Sequence, residues 1–327
     1  MKHEHPKQHK HHTSRGYRNN YAHERRDLRD FMKFLWSWRK PGAKVVFPLA
    51  APDPGFLAAN RTRPTLTWIG HSTFLVQIGG LNVLTDPHFT SRASPLNWVG
   101  PWRVAAPGLH LRDLPAPDVI LISHNHYDHL DDQSVRWLAR HHPKAVFVVP
   151  LGLRRWLQRR HVANAVELDW WHEHSGHGFR VTAVPAQHFS GRTATDGNRT
   201  LWCGFILEAA NRKIYFAGDT GYSKDFADIG NKMGPVDLAL LPIGAYEPRW
   251  FMQAQHMDPA EAYQAFLDLR AQQMIAMHWG TFDLTDEPAD LAPRVLAEAV
   301  RAAGGDASRT VVMAIGEQWH LPKRAAD

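Results

Sequence analysis

LISHNHYDHLDD, residues 121–132, sets three histidines and an aspartate within six positions behind an aliphatic run. DVILIS (118–123) reads as a short, fully buried strand, since a run apolar on both faces suits the interior of a parallel sheet. DDQSVRWLARHH reads as the helix that follows. The histidines therefore stand at a strand's end, where two readings compete: a solvated loop that is merely His-rich, or a metal site built on the strand. The rest of the chain favours the second. His188 ends VTAVPAQH, Asp219 ends KIYFAGD and His278 ends MIAMH, so four separate strands finish in a side chain able to bind a divalent metal. A random scatter of 22 histidines would not choose strand ends so regularly.

Neutral imidazole and carboxylate suit zinc, with manganese and iron competing for the same donors. Within HNHYDH, alternation sends His124 and His126 to one side, while Asp128 and His129 reach a second position. Two metals about 3.5–4 Å apart need a shared ligand. Asp219 is the natural bridging carboxylate.

Composition narrows the classes. The 327 residues are 44% hydrophobic and 21% charged, ordinary for a globular chain of one large domain or two small ones. No apolar run approaches the roughly 20 residues needed to span a bilayer. The basic N-terminus lacks a following apolar stretch, so no secretory signal is read and a cytoplasmic location is expected. Cys203 is the one cysteine, which leaves no disulfide framework and no thiolate zinc site. The net charge of +6 is local. Residues 1–40 hold 11 Lys/Arg against 4 Asp/Glu, whereas the remaining 287 residues hold 27 against 28. A nucleic-acid partner is not expected, because the body has no basic excess of its own.

Along the chain, residues 1–22 are polar, short of aliphatics and expected to be disordered. Six histidines fall within residues 1–40. From Glu24 to Lys40, Leu28, Phe31, Met32, Leu35 and Trp36 recur at helical spacing among Arg25, Arg26, Arg29, Lys33 and Arg39. Such a helix either docks its stripe on the body or lies on a membrane surface. TLTWIG and TFLVQIGGLNVLTD read as strands turning at Gly79-Gly80. Further strands are expected at AVFVVP, 178–184, 200–208, 213–217, DLALLPI, MIAMHWG and TVVMAIG. Helices are expected at 258–271, capped by Asp258, and at 288–303. The domain reading is a basic, His-rich tail with an amphipathic helix over 1–40, and a single α+β domain of two sheets with flanking helices over 41–327.

HNHYDH is similar to the HxHxDH signature of the metallo-β-lactamase fold, an αββα sandwich of two mixed sheets with metals along one edge. The match extends over about residues 40–320. LTDPHFTSRASP, LISHNHYDHLD, VPLGL, ELDWW, PAQH, FAGDTGY, GAYEPRWFM, QHMDPAEA and HWGTF resemble, in the same order, the N-acylphosphatidylethanolamine-hydrolysing phospholipase D family and its bacterial relatives. The resemblance implies two Zn2+ per chain: one on His124, His126 and His188, the other on Asp128, His129 and His278, with Asp219 between them. It implies attack of metal-activated water on a phosphodiester, releasing an N-acylethanolamine and leaving phosphatidic acid. Asp128, Asp219 and His256 are the catalytic candidates, with His256 expected at the leaving group because imidazole titrates near working pH. Tyr246 and Arg249 are expected to orient the phosphate or head group, and His71 to stand behind a ligand or at the rim. The tail does not align with the family, and PAQHFSGRT departs from it locally. A lactonase or another phosphoester hydrolase would keep the same metals, and a non-catalytic metal-binding protein is the weaker alternative. A flavodiiron oxidoreductase is disfavoured, since no flavodoxin-like domain follows. The expected partners are a phospholipid or other phosphodiester and, through the basic helix, an anionic bilayer surface. A homodimer is compatible with the sequence.

Overall fold

The computed structural model describes residues 10–23, 28–37, 47, 49–96 and 98–322. A short hairpin of β1 (His12–Thr13) and β2 (Gly16–Tyr17) leads in. Strands β3 (Thr65–Gly70), β4 (Thr73–Ile78), β5 (Leu81–Thr85), β6 (Val119–Leu121), β7 (Val146–Pro150) and β8 (Ala165–Leu168) build one sheet. A second contains β9 (Glu173–Gly176), β10 (Phe179–Val184), β11 (Gly204–Ala209), β12 (Arg212–Phe216), β13 (Leu238–Pro242), β14 (Gln273–Met277) and β15 (Thr310–Val311). The chain then returns to the first sheet, where β16 (Gln318–His320) pairs antiparallel with β3. Each sheet is antiparallel on one side and parallel on the other, changing at β5 and at β12.

Side-chain alternation divides the core. On β4, Phe74, Val76 and Ile78 join the large cluster that also takes in the second sheet, while Leu75 points the other way. Leu75 packs there with Leu57 of α2 (Pro54–Ala59), Val135 and Leu138 of α3 (Asp132–His141), and Leu157 of α4 (Arg154–Gln158). The second sheet is covered by α5 (Asp225–Lys232), α7 (Pro259–Asp268) and α8 (Leu291–Ala302), through Phe226, Ile229, Phe266, Leu296 and Val300. The order is helix, sheet, sheet, helix, as expected. Parallel strands such as β6 and β13 are buried on both faces, which is why their sequences run apolar without alternation. Local signals hold too. Gly79 and Gly80 take φ of 60° and 80° in the β4–β5 turn, and Asp258 caps α7 in a capping box with Glu261.

The N-terminal expectations need correction. Of the segment expected to be disordered, residues 1–9 lie outside the described residues, whereas residues 10–23 are placed on the body: Tyr17 N–H donates to the Asn198 carbonyl at 2.9 Å, and Asn20 donates to Asp225 at 2.8 Å. Polarity misled because these contacts are hydrogen bonds, which composition does not register. Helix α1 covers Leu28–Ser37, and its anchor is Phe34, absent from the expected stripe. Phe34 stacks on Phe251 of α6 (Arg249–Met252) at 4.6 Å, beside Ala245 and Met252. Met32 and Trp36 instead face solvent, Trp36 at 93% exposure. The side chains of Leu28, Phe31 and Leu35, and the boundary at 40/41, lie outside the described residues. At the other end TVVMAIG is a strand only over Thr310–Val311, and β16 closes the chain.

Candidate metal centre

Every donor singled out in the sequence sits just beyond a strand. His71 lies in the β3–β4 turn, residues 124–129 follow β6, and His188, Asp219 and His278 follow β10, β12 and β14. The turns are tight. His71 and His278 take φ of 55° and 61°, a left-handed conformation that non-glycine residues adopt only when their surroundings enforce it. Gly218 also has φ of 60°, and a Cβ there would fall 2.5 Å from the Ser123 Cβ. The glycine of FAGD thus lets the Asp219 turn approach the His124 strand. The 124–129 loop is closed by hydrogen bonds from the His129 and Leu130 amides to the His126 carbonyl. Arg192, stacked 3.9 Å from the Tyr127 ring, donates to the carbonyls of Asn125 and Leu130 at 2.9 and 2.8 Å.

Two donor groups converge. In the first, His124 Nε2 and His188 Nε2 lie 2.8 and 3.1 Å from His126 Nδ1, and 3.9 and 3.8 Å from Asp219 Oδ2. In the second, Asp128 Oδ2 lies 3.3 Å from His129 Nε2 and 3.5 Å from His278 Nε2. Asp219 reaches this group as well, with Oδ2 3.0 Å from His129 Nε2 and Oδ1 3.0 Å from His278 Nε2. One carboxylate therefore touches both.

The surrounding bonds fix which nitrogen is free. His188 Nδ1 meets the Gln255 carbonyl at 3.0 Å; a carbonyl only accepts, so Nδ1 carries the proton and Nε2 turns a lone pair inward. His129 Nδ1 donates likewise to Asp86 at 2.6 Å. Ser123 Oγ donates to Asp86 at 2.6 Å and accepts from His124 Nδ1 at 2.9 Å, which frees His124 Nε2. A single N–H on His126 Nδ1 cannot serve two acceptors in different directions, whereas a cation among three nitrogens can. Buried His129 Nε2, His278 Nε2 and Asp219 Oδ1 have no hydrogen-bond partner despite the 3.0 Å approaches. The donor types and their orientation fit one or two divalent cations.

The electrostatics are those of a cation site. Burial pushes the Asp219 carboxyl up, but His129 and His278 outweigh it and hold it well below the usual range. Burial opposes protonation of His278, yet Asp219 and Asp128 raise it to about 9. His188 and His126 go the other way, lowered mainly by burial to about 3 and about 4.

The four other candidates are placed as follows. His71 is 1% exposed and hydrogen-bonded through Nε2 to Asp128 at 2.9 Å, so of its two expected places it takes the one behind a donor. His256 is brought in: one of its nitrogens lies within 4.8 Å of donor atoms of Asp219 and His278. Burial lowers its pKa to about 3, so it is neutral at working pH and does not titrate there. Arg249 is occupied, donating to the His256 carbonyl at 3.0 Å and to Glu261 at 2.7 Å. It holds the His256 loop and does not present a free guanidinium to phosphate. Tyr246 is buried, with a hydroxyl that has no hydrogen-bond partner, and its backbone N–H is held by Glu287. Residues missed are Asp86, Gln255, Arg192 and Asn19; Asn19 accepts from the His188 N–H and donates to its carbonyl. Only Asp86, at the end of NVLTD, carried the strand-end signal.

Comparison with known proteins fits this geometry. Residues 81–279 match the family model described as a β-lactamase superfamily domain. The chain belongs to this superfamily, in its metallo-β-lactamase fold. Two relatives are more particular. The chain is 39% identical over 270 residues to N-acyl-phosphatidylethanolamine-hydrolyzing phospholipase D 1 of Caenorhabditis elegans, covering 79% of this chain and 76% of that one. It is 34% identical over 233 residues to a metal-dependent hydrolase of Koribacter versatilis, covering 69% and 89%. In fold it is similar to a metallo hydrolase from Ignicoccus hospitalis, with a TM-score of 0.61 at 24% identity, over 80% of this chain and all (100%) of the other. The chain is thus a metal-dependent hydrolase. No helix among the described residues is long and apolar enough to cross a membrane.

Proposed function

We propose that the chain is a dinuclear zinc phosphodiesterase that cleaves N-acylphosphatidylethanolamine, or a closely related phosphodiester, at the phospholipase D position. The products are an N-acylethanolamine and phosphatidic acid. One observation carries the dinuclear part: Asp219 lies against donors of both groups, Oδ2 at 3.0 Å from His129 and 3.8 Å from His188. His124, His126 and His188 would hold one ion and Asp128, His129 and His278 the other. A metal pair supplies a water-derived nucleophile at neutral pH and offsets charge on the phosphoryl oxygens. The substrate class is supported by the name of the Caenorhabditis elegans relative.

The chain's own residues would do the rest. Asp86 and the Gln255 carbonyl hold His129 and His188 in the tautomers that leave Nε2 available. His71 fixes Asp128. His256, neutral, offers a hydrogen bond toward the leaving oxygen, and Arg249 positions it through its carbonyl. Since the substrate belongs to a bilayer, α1 provides contact with the lipid surface through Met32 and Trp36, both exposed.

The test is a comparison of substrates. Zinc-loaded protein is given N-acylphosphatidylethanolamine, a bis-aryl phosphodiester and a small lactone beside an Asp219→Asn control. Preferential, Asp219-dependent turnover of the phospholipid supports the reading. Preference for the lactone would leave the metal centre standing and overturn the substrate.

A further inference from the structure

A second meeting of imidazole and carboxylate lies on other elements. His11 Nε2 is 2.6 Å from Asp169 Oδ1, and His12 Nε2 is 2.9 Å from Asp169 Oδ2. One donor atom from each of the three residues lies within 4.8 Å of the other two. The parts are held in place independently. Asp169, just past β8, receives the Trp170 N–H at 2.8 Å, and the His11 ring stacks on Trp170 at 4.2 Å. Trp170 is fixed in turn by its indole bond to the Trp202 carbonyl at 2.6 Å. The His12 ring meets Tyr17 edge-on at 5.2 Å, and its side chain is 29% exposed, so an ion can enter from solvent. His11 lies in the turn just before β1 and His12 on it, and both rings close on one carboxylate.

We propose that His11, His12 and Asp169 form a separate divalent transition-metal site that staples the N-terminal segment to the body. Two imidazoles and a carboxylate, with water in the remaining position, suit zinc. The staple has a consequence at the centre, because the same segment carries Asn19. Its side chain accepts from the His188 N–H at 3.1 Å and from the Trp202 indole at 3.0 Å, and donates to the His188 carbonyl at 2.9 Å. Seating the segment therefore seats His188.

The probe is zinc alone. Zinc per chain is measured by elemental analysis after dialysis against fixed free zinc, for the wild type, His12→Ala, His11→Asn and Asn19→Ala. The two histidine variants are expected to hold one zinc fewer than the wild type. Asn19→Ala loosens the tie to His188 without touching the three donors, and keeps the additional zinc. Trypsin cleavage at Arg15 and Arg18 should slow by up to about 100-fold when free zinc stands about 100 times above Kd, in the wild type and not in His12→Ala. Equal zinc content in the wild type and both histidine variants, or zinc protection that survives in His12→Ala, overturns the proposal and leaves a hydrogen-bonded cluster.

Discussion

Two loops bring histidines to the centre, and an arginine ties each of them. In the 123–130 loop, Arg192 gathers backbone carbonyls from behind, and the histidine side chains are left to converge on Asp219. In the 245–256 loop, Glu287 accepts from the amides of Ala245, Tyr246 and Glu247, while Arg249 donates to the His256 carbonyl and to Glu261. Of this second loop the His256 side chain approaches the donors, and the Gln255 carbonyl meets His188 from behind. The difference lies in what each polar side chain finds nearby. Where backbone groups and counter-charges are within reach, a functional-looking arginine becomes scaffold; where they are not, imidazole stays free for a cation.

Variants can break this contrast, the most severe first. Asp219→Asn should abolish turnover and lower zinc content at both positions, since the residue common to both groups loses its charge; full activity would end the dinuclear reading. His256→Ala should lower kcat by about 10²- to 10³-fold, the usual effect of removing one donor to a developing charge. Its metal content should stay as in the wild type; a lost ion would make His256 a ligand instead. Asp86→Asn should weaken zinc binding by about 10- to 100-fold, as is typical for a group orienting a ligand, which equilibrium dialysis would register.

A pH series sharpens the contrast without mutation. In metal-free protein the folded-state pKa of His278 is raised from 6.5 to about 9. Its contribution to stability is fully present below pH 6.5 and lost as pH climbs through 9, so the apoprotein Tm should fall across that window. Zinc affinity should rise over the same window, because uptake must displace that proton. Parallel trends would contradict the assignment. The smallest effect is expected of Trp36→Ser. It should weaken binding to anionic vesicles while leaving turnover of detergent-dispersed substrate unchanged, because Trp36 is almost wholly exposed. Deleting the whole N-terminus is a poorer probe, since Asn19 goes with it.

Much of this was legible in residue order. Apolar runs ending in His124, His188, Asp219 and His278 placed both the strands and the donors, because a strand end is a local feature with a period of its own. The helix entry at Asp258 was likewise readable from its capping pattern. What stayed hidden was long-range polar pairing. Asn19 with His188 and Arg192 with the 125–130 carbonyls join segments far apart in sequence, by residue types that are usually found in solvent. Phe34 was overlooked because its partner, Phe251, lies more than 200 positions away on another helix.

The donors are drawn from both sheets: residues 124–129 belong to the first, while His188, Asp219 and His278 belong to the second. Ions seated among them would clasp the two layers at that edge like a rivet. Splitting the sandwich there would first require their release, so the hydrolase's resistance to unfolding would be governed partly by how slowly the ions leave. Cells starved of metal would then face a protein that is short-lived as well as idle.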